Sequence, residues 1–191
     1  MNNKRYISAD QLLDDSFQLG LKVIQSGFRP NFIVGIWRGG TPVGIAVQEL
    51  LDYCGLKCDH IAIRTSSYTG IGERIAKVRV HGLNYIINNI KHDDALLIID
   101  DVFDTGRSMQ AVIDHLERSC RRNMPEQLRI GTTYFKPRQN QTERVPDYYV
   151  HATEQWLVFP HELNGLTPAE IRDNKPYLSK LLQQIDGTNP S

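Results

Sequence analysis

Two adjacent aspartates follow an unbroken apolar run near the middle of the chain. The run Leu96–Ile99 leads directly into Asp100 and Asp101. Neighbouring carboxylates repel one another, so a pair like this calls for a compensating partner. The pair could accept hydrogen bonds from vicinal hydroxyls, or share a divalent cation through its oxygens. A helix N-cap or a solvated turn is the structural alternative.

The residues after this pair have the composition of an anion-binding loop. Thr105, Gly106 and Ser108 lead into a predicted helix, whose N-terminus offers backbone N–H groups and the positive end of the helix dipole to a phosphate. Taken alone, the loop is equally consistent with an ordinary turn. No G-x-x-x-x-G-K-[ST] pattern occurs, so a P-loop nucleoside triphosphatase is not supported. Together, the acidic pair and the anion-binding loop indicate a site for a phosphorylated ribose.

The amino-acid composition narrows the classes of molecule that this protein is expected to bind. The chain has 191 residues, of which 40% are hydrophobic and 23% charged, as expected of one globular domain with its own core. Lys+Arg and Asp+Glu are both 22, so no basic field attracts nucleic acid, and a neutral chain is free to self-associate. The sequence shows neither a signal-peptide core nor an apolar run of about 18 residues. These features predict a cytoplasmic protein without a membrane or nucleic-acid partner.

Short apolar runs predict the strands that must position the two loops. They cover residues 32–36, 59–64, 95–100, 129–135 and 147–150, while the polar stretch 65–74 is typical of a loop. Strands that alternate with helices of ten or more residues predict an α/β fold with a central, mainly parallel sheet and helices on both faces. In such sheets ligands bind beyond the carboxyl ends of the strands. The acidic loop and the loop WRGG (Trp37 to Gly40) both follow such ends, so we expect them on one rim.

Capping signals mark the predicted helices. Ser8 begins a capping-box pattern, and apolar residues then recur at helical spacing at Leu13, Phe17, Leu21 and Ile24. Thr41 followed by proline predicts the start of a helix that runs to about residue 51. A third helix is predicted over 108–122, and Thr167 is predicted to cap a single closing helix, 167–184.

The segment IIDDVFDTGRS resembles the ribose-phosphate signature of type I phosphoribosyltransferases, in which a strand, two acidic residues and two apolar residues precede D-T-G-x-[ST]. The resemblance implies that family's fold for a single domain, residues 1–191. It implies a core over about 28–140 and a small hood over the active site, from about 141–165 with the N-terminal segment. The closing helix, about 167–184, lies beyond the match.

The same resemblance assigns roles in the central loop. Asp100 and Asp101 would hold the ribose hydroxyls and Mg²⁺, and Asp104 would act as general acid/base at the purine N7. The 5′-phosphate would be bound by the residues that follow, namely Thr105, Gly106, Arg107 and Ser108. Arg107 stands where many relatives carry a small residue, but its backbone N–H remains available.

Two further segments resemble the family's diphosphate-binding elements. WRGG is similar to its pyrophosphate loop, which implies Arg38, Gly39 and Gly40 as ligands and a non-proline cis peptide in the loop. The segment SSYTGIGERIAKV resembles the mobile lid of bacterial xanthine-guanine enzymes. From it the pyrophosphate-binding candidates are Ser67, Tyr68 and Arg74. Trp37 replaces the usual small residue of the pyrophosphate loop.

The base-binding candidates come from two later segments. In 6-oxopurine members of the family, a lysine at a strand end donates to the exocyclic oxygen and a later aromatic ring stacks on the purine. By position these are Lys136 and Trp156, with Leu157 beside the latter. His161 replaces the usual tryptophan and Val158 replaces an acidic residue, so the resemblance does not rank hypoxanthine, guanine and xanthine.

The resemblance implies purine salvage. A 6-oxopurine would attack 5-phosphoribosyl diphosphate in the presence of magnesium, releasing diphosphate, in a homodimer or homotetramer. Two alternatives remain: a regulator of the same fold that binds nucleotide or phosphoribosyl diphosphate without turnover, and a transferase for another base. The latter would leave Lys136 and Trp156 without roles.

Overall fold

In the computed structural model, which describes residues 4–68 and 77–186, the chain forms eight strands and six helices. The strands are β1 (Lys4–Tyr6), β2 (Phe32–Trp37), β3 (Asp59–Tyr68), β4 (Lys77–His81), β5 (Ala95–Phe103), β6 (Gln127–Phe135), β7 (Tyr148–Ala152) and β8 (Trp156–Val158). The helices are α1 (Ala9–Gln25), α2 (Gly40–Tyr53), α3 (Asn84–Asn89), α4 (Arg107–Cys120), α5 (Pro168–Asn174) and α6 (Pro176–Asp186).

Six strands make the central sheet, in the order β4-β3-β2-β5-β6-β7. Neighbouring strands are parallel except β3 and β4, which form an antiparallel edge. The predicted α/β fold with a mainly parallel sheet is confirmed. A separate parallel pair, β1 with β8, joins the N-terminal segment to residues 156–158 and was not predicted.

The sheet buries apolar side chains on both of its faces, and β5 contributes side chains to each face. Leu96 and Ile98 pack with α3 and α4 on one face, while Leu97 and Ile99 pack with α1 and α2 on the other. Full burial of such a side chain contributes about 1.5–3 kcal/mol, so two-sided burial explains the unbroken apolar run.

The alternation of β5 slips by one residue at the acidic pair. Val102 packs with the cluster of Leu97 and Ile99, although simple alternation would put it with Ile98, and Phe103 returns to the Ile98 cluster. Pairing with β6 nevertheless continues to Phe103. The strand therefore carries Asp100 and Asp101 within it and ends three residues later than predicted, because backbone pairing continues past the apolar run.

Residues 65–68 are strand, so the prediction of a loop there is wrong. Ser66 and Ser67 pair with Arg79 and Val78 of β4. An antiparallel edge can expose one face to solvent and so tolerates polar residues, which misled the interpretation. Residues 69–74 of the predicted loop lie outside the described residues.

Helix boundaries follow the sequence signals except at two places. Ser8 caps α1 as predicted and accepts from the Gln11 backbone N–H, at 3.1 Å. Helix α2 begins at Gly40, so the prediction that Thr41 is the N-cap is wrong. The closing helix is also not single. Thr167 caps α5 as predicted, through a capping box with Glu170. Pro176, however, lacks the N–H that a continuous helix needs and separates α5 from α6.

The buried face of α1 differs from the recurring apolar positions that marked this helix. Leu12, Leu19 and Val23 are buried, whereas Leu13, Phe17 and Leu21 are exposed. Among residues 4–68 and 77–186, no helix is long and apolar enough to cross a membrane.

Candidate active site

The two aspartates of β5 lie among backbone N–H groups, Asp101 buried and Asp100 half-buried. The Asp101 N–H donates to Asp100 Oδ1 at 3.0 Å, and the Val102 N–H donates to Asp101 Oδ1 at 2.8 Å. Burial, reinforced by the neighbouring Asp101 charge, raises the pKa of Asp100 well above its usual range. Burial, with a contribution from Glu162, raises the pKa of Asp101 to about 6. Both carboxylates therefore favour a ligand that offers hydroxyl donors or positive charge.

The loop between β2 and α2 lies directly against this pair. A Cβ built on Gly39 would overlap the Asp101 carboxylate, and one built on Gly40 would overlap the Ile99 carbonyl oxygen. Only glycine permits this close approach. The expected non-proline cis peptide is present between Trp37 and Arg38. The Arg38 side chain is exposed at the same rim.

The loop after β5 folds as a cradle at the N-terminus of α4. Gly106 caps the helix with φ of 75°, a left-handed conformation that favours glycine. The Arg107 N–H lies 3.4 Å from Thr105 Oγ1. A cavity of about 80 Å³ opens here, lined by Asp100, Val102, Phe103, Asp104, Thr105, Gly106, Ser108 and Met109. Its location, at the start of a 14-residue helix, suits an anion.

Asp104 and Lys136 form an ion pair across adjacent strand ends, with 2.9 Å between Nζ and Oδ2. The Lys136 backbone N–H donates to the Phe103 carbonyl at 2.9 Å, which fixes the base of the lysine beside β5. The two residues come from separate predicted segments, and the structure brings them together.

The other base-binding candidates lie on β8. The Trp156 side chain is 57% exposed, so its ring is available to a planar ligand. Leu157 packs into the core cluster of α1 and α2, which leaves its backbone as the part able to meet a ligand.

The lid candidates are only partly described. Ser67 is exposed within β3, and Tyr68 is the last residue of that strand. Arg74 lies outside the described residues.

His161 stands beside the acidic pair and was not among the predicted site residues. Its Nε2 lies 3.8 Å from Asp101 Oδ2, and its ring stacks on Phe159 with centroids 5.9 Å apart. Burial, and to a lesser degree the nearby Arg38 and Lys175 charges, lowers its pKa. The substitution of histidine for the family's tryptophan was the available signal, but sequence alone did not place the ring beside Asp101.

Comparison with known proteins agrees with this geometry. Residues 8–164 match the model of the phosphoribosyl transferase domain. The chain belongs to this family. It is a phosphoribosyltransferase, and its resemblance to the 6-oxopurine enzymes is confirmed.

Two of three similar proteins cover most of the length of this phosphoribosyltransferase. A hypoxanthine-guanine phosphoribosyltransferase of Lactococcus lactis is 27% identical over 187 residues, covering 95% of this chain and 92% of that protein. A hypoxanthine/guanine phosphoribosyltransferase of Methanocella paludicola is 38% identical over 90 residues, covering 46% of this chain and 44% of that protein. The crystal structure of a purine phosphoribosyltransferase from Pyrococcus horikoshii superposes with a TM-score of 0.66 at 28% identity, covering 87% of this chain and 98% of that one.

Proposed function

We propose that this phosphoribosyltransferase transfers the 5-phosphoribosyl group of 5-phosphoribosyl diphosphate to a 6-oxopurine and releases diphosphate. The substrate class is supported by the names of the relatives, which include hypoxanthine-guanine and purine phosphoribosyltransferases. A soluble homodimer or homotetramer in the cytoplasm remains the expected form of the enzyme.

The observation that carries the proposal is the Asp104–Lys136 ion pair, at 2.9 Å, beside the acidic pair. A 6-oxopurine presents a carbonyl oxygen next to a ring nitrogen. An ammonium donates to the former, and a carboxylate exchanges a proton with the latter. Lys136 is therefore the proposed donor to O6, and Asp104 the proposed partner of N7. A ligand that bridges the pair would replace their mutual contact.

The transfer itself displaces one group at ribose C1. The purine nitrogen forms the new bond, and the bond to the diphosphate oxygen breaks, its electron pair leaving with diphosphate. The base gives up one proton, which the Asp104 carboxylate is proposed to accept. Arg38 and the backbone amides of Gly39 and Gly40 would neutralise the departing charge. Thr105 to Ser108 would hold the 5′-phosphate, and Ser67, Tyr68 and Arg74 would close over the diphosphate.

Asp100 and Asp101 have the donor set that suits magnesium. Mg²⁺ takes oxygen ligands and is commonly bound by one or two carboxylates together with substrate phosphates. The raised pKa values of both aspartates are consistent with a site that gains from an added cation. When bound, the metal would supply electrostatic stabilisation of the diphosphate charge.

The experiment is diphosphate release from 5-phosphoribosyl diphosphate and magnesium with single bases: guanine, hypoxanthine, xanthine, adenine, uracil and orotate. We expect turnover with at least one 6-oxopurine, and Asp104→Asn to abolish most of it. Asp93→Asn, an exposed aspartate in the turn before β5, is the matched control and should keep full activity. Turnover confined to adenine or a pyrimidine would refute the proposed base class. Sugar-diphosphate binding without turnover on any base would favour a regulator.

A further inference from the structure

The segment from Val158 to Glu162 runs beside the acidic pair. Phe159 anchors it in the core, with its ring 5.9 Å from that of Tyr134 on β6, and the backbone after Phe159 turns back on itself. The Phe159 N–H donates to Glu162 Oε2, and the Glu162 N–H donates to the Phe159 carbonyl, both at 3.0 Å. The segment is therefore a self-bonded turn, and His161 at its tip lies 3.8 Å from Asp101. Where this turn sits determines where the His161 ring meets the site.

Lys175 holds this turn from outside the matched family domain. Its Nζ donates to the carbonyls of Phe159 and Pro160 at 2.8 and 2.9 Å, respectively. These two carbonyls precede His161 directly. The family match ends at residue 164, so the lysine lies beyond the matched domain.

The backbone of Lys175 is fixed on both sides. Its N–H donates to the Ile171 carbonyl at 2.8 Å, ending α5, and its own carbonyl accepts from the Ser179 N–H at 3.0 Å within α6. Helix α5 is in turn tied to β1, because Lys4 Nζ lies 2.6 Å from Glu170 Oε1. The ammonium thus projects from a braced junction rather than from a free helix end.

On these contacts we infer that Lys175 is a positioning residue for the base-binding side of the candidate active site. Its ammonium fixes the turn 158–162 through two carbonyls, and the turn fixes His161 beside Asp101. The turn follows directly on β8, the strand that begins with Trp156. Only the expected effect on enzyme kinetics rests on the proposed function. The structural consequence, a turn that loosens without the ammonium, is independent of the substrate.

The test compares Lys175→Met, which keeps an unbranched stem without donors, with Lys175→Arg, which keeps charge and donors. Lys180→Met is the matched control, because this lysine is exposed on α6. Amide hydrogen exchange is measured on the whole protein without ligand. In Lys175→Met we expect the Phe159 and Glu162 amides to exchange about tenfold faster, the size of effect given by losing hydrogen bonds to a charged group. Lys175→Arg and the control should match the parent protein.

The kinetic arm uses the same variants. We expect Lys175→Met to raise KM for the base about tenfold, with KM for 5-phosphoribosyl diphosphate changed by less than about twofold. Arginine should restore most of the loss.

Unchanged exchange in Lys175→Met, or equal rises in both KM values, would overturn the inference. Should the parent protein turn over no base, the proposed function fails, while the exchange arm still decides the role of Lys175. If Lys175→Met does not fold, Lys175→Gln, which retains an N–H donor of shorter reach, takes its place in both arms.

Discussion

Lys136 and Asp104 are 32 positions apart in sequence, and their side chains meet at 2.9 Å where β5 and β6 end side by side. The lysine side chain is largely buried at 13% exposure, whereas the aspartate is 43% exposed. The ammonium is thus held in place and the carboxylate remains accessible. A base bound as proposed would meet a fixed donor and an accessible acceptor side by side.

This pairing predicts that Asp104→Asn mainly lowers kcat. The amide can still accept a hydrogen bond from Lys136 but cannot take a proton, so we expect kcat to fall about 10²- to 10⁴-fold. KM for 5-phosphoribosyl diphosphate should change little. Steady-state kinetics at varied base and fixed sugar diphosphate measures both. A large rise in KM for the sugar diphosphate with unchanged kcat would instead place Asp104 in phosphate binding.

Loss of the ammonium should affect binding of the base more than the chemical step. In Lys136→Met the donor to the exocyclic oxygen is absent and Asp104 loses its partner. A hydrogen bond from a charged donor is worth about 1.5–3 kcal/mol, so KM for the 6-oxopurine should rise at least about tenfold. Calorimetric titration with the product nucleotide measures the loss of this hydrogen bond as a change in affinity, without turnover. Equal affinity of parent and variant would contradict the role given to Lys136.

Gly39 and Gly44 provide a matched pair five positions apart. A Cβ at Gly39 would overlap the Asp101 carboxylate, whereas a Cβ at Gly44 meets nothing closer than the Gly35 Cα at 3.8 Å. Overpacking costs about 1–3 kcal/mol, so Gly39→Ala should raise KM for the sugar diphosphate about tenfold to hundredfold. Gly44→Ala, inside α2, should instead stabilise the fold by about 0.5–1 kcal/mol. Urea denaturation and steady-state kinetics report the two effects. If Gly39→Ala behaved like Gly44→Ala, the close approach of loop and carboxylate would be refuted.

The raised pKa of Asp101 predicts a pH-dependent gain in stability from Asp101→Asn. The folded chain holds this proton up to about pH 6, while an unfolded chain releases it near 3.8. Raising the pH through that window therefore favours unfolding, and the parent protein loses up to about 3 kcal/mol that the amide variant keeps.

The measurement is urea unfolding of both proteins at pH values from 3.5 to 7.5, without magnesium or ligand. We expect Asp101→Asn to match the parent below pH 4 and to exceed it above pH 6. Asp93→Asn should run parallel to the parent throughout. A variant less stable than the parent at pH 7.5 would contradict the assignment of a destabilising buried charge to Asp101.

The chain contains two tryptophans, Trp37 and Trp156, which are 55% and 57% exposed, respectively. Stacking of a base on an aromatic ring is worth about 1–3 kcal/mol, so Trp156→Leu should weaken 6-oxopurine nucleotide binding at least about fivefold. In fluorescence titrations the nucleotide should quench the parent and Trp37→Leu, but not Trp156→Leu. If quenching were lost in Trp37→Leu instead, the base would lie against Trp37 and not against Trp156.

Much of the fold followed from local signals because they were strong. The apolar run of β5 is buried on both faces, and a short unbroken apolar run is typical of a parallel strand that has helices on both sides. Thr167 and Ser8 cap helices through their own side chains, so their positions were readable from a few residues. The loops after β2 and β5 were expected on one rim, and the contacts of Gly39 and Gly40 with β5 confirm this.

The features that could not be predicted depend on contacts between residues far apart in the sequence. The strand character of Ser66 and Ser67 comes from pairing with β4, not from their own preferences. The short strands β1 and β8 have three residues each, and each is a strand only because it pairs with the other, 152 positions away. His161 and Lys175 gained their places beside the site only through tertiary contacts with Asp101 and with two carbonyls. The slip of β5 at the acidic pair also left no pattern in the sequence.

Asp100 and Asp101 lie between the starts of two helices that pack on opposite faces of the sheet. Asp100 lines the cavity at the start of α4 and also lies against Gly40, whereas Asp101 lies against Gly39 at the start of α2. A sugar diphosphate bound as proposed would straddle β5, with one anionic end on each side. Once the bond at C1 is broken, each fragment retains anchors that the other does not use. Diphosphate and nucleotide would then each remain bound through its own contacts after the reaction, at opposite faces of one strand.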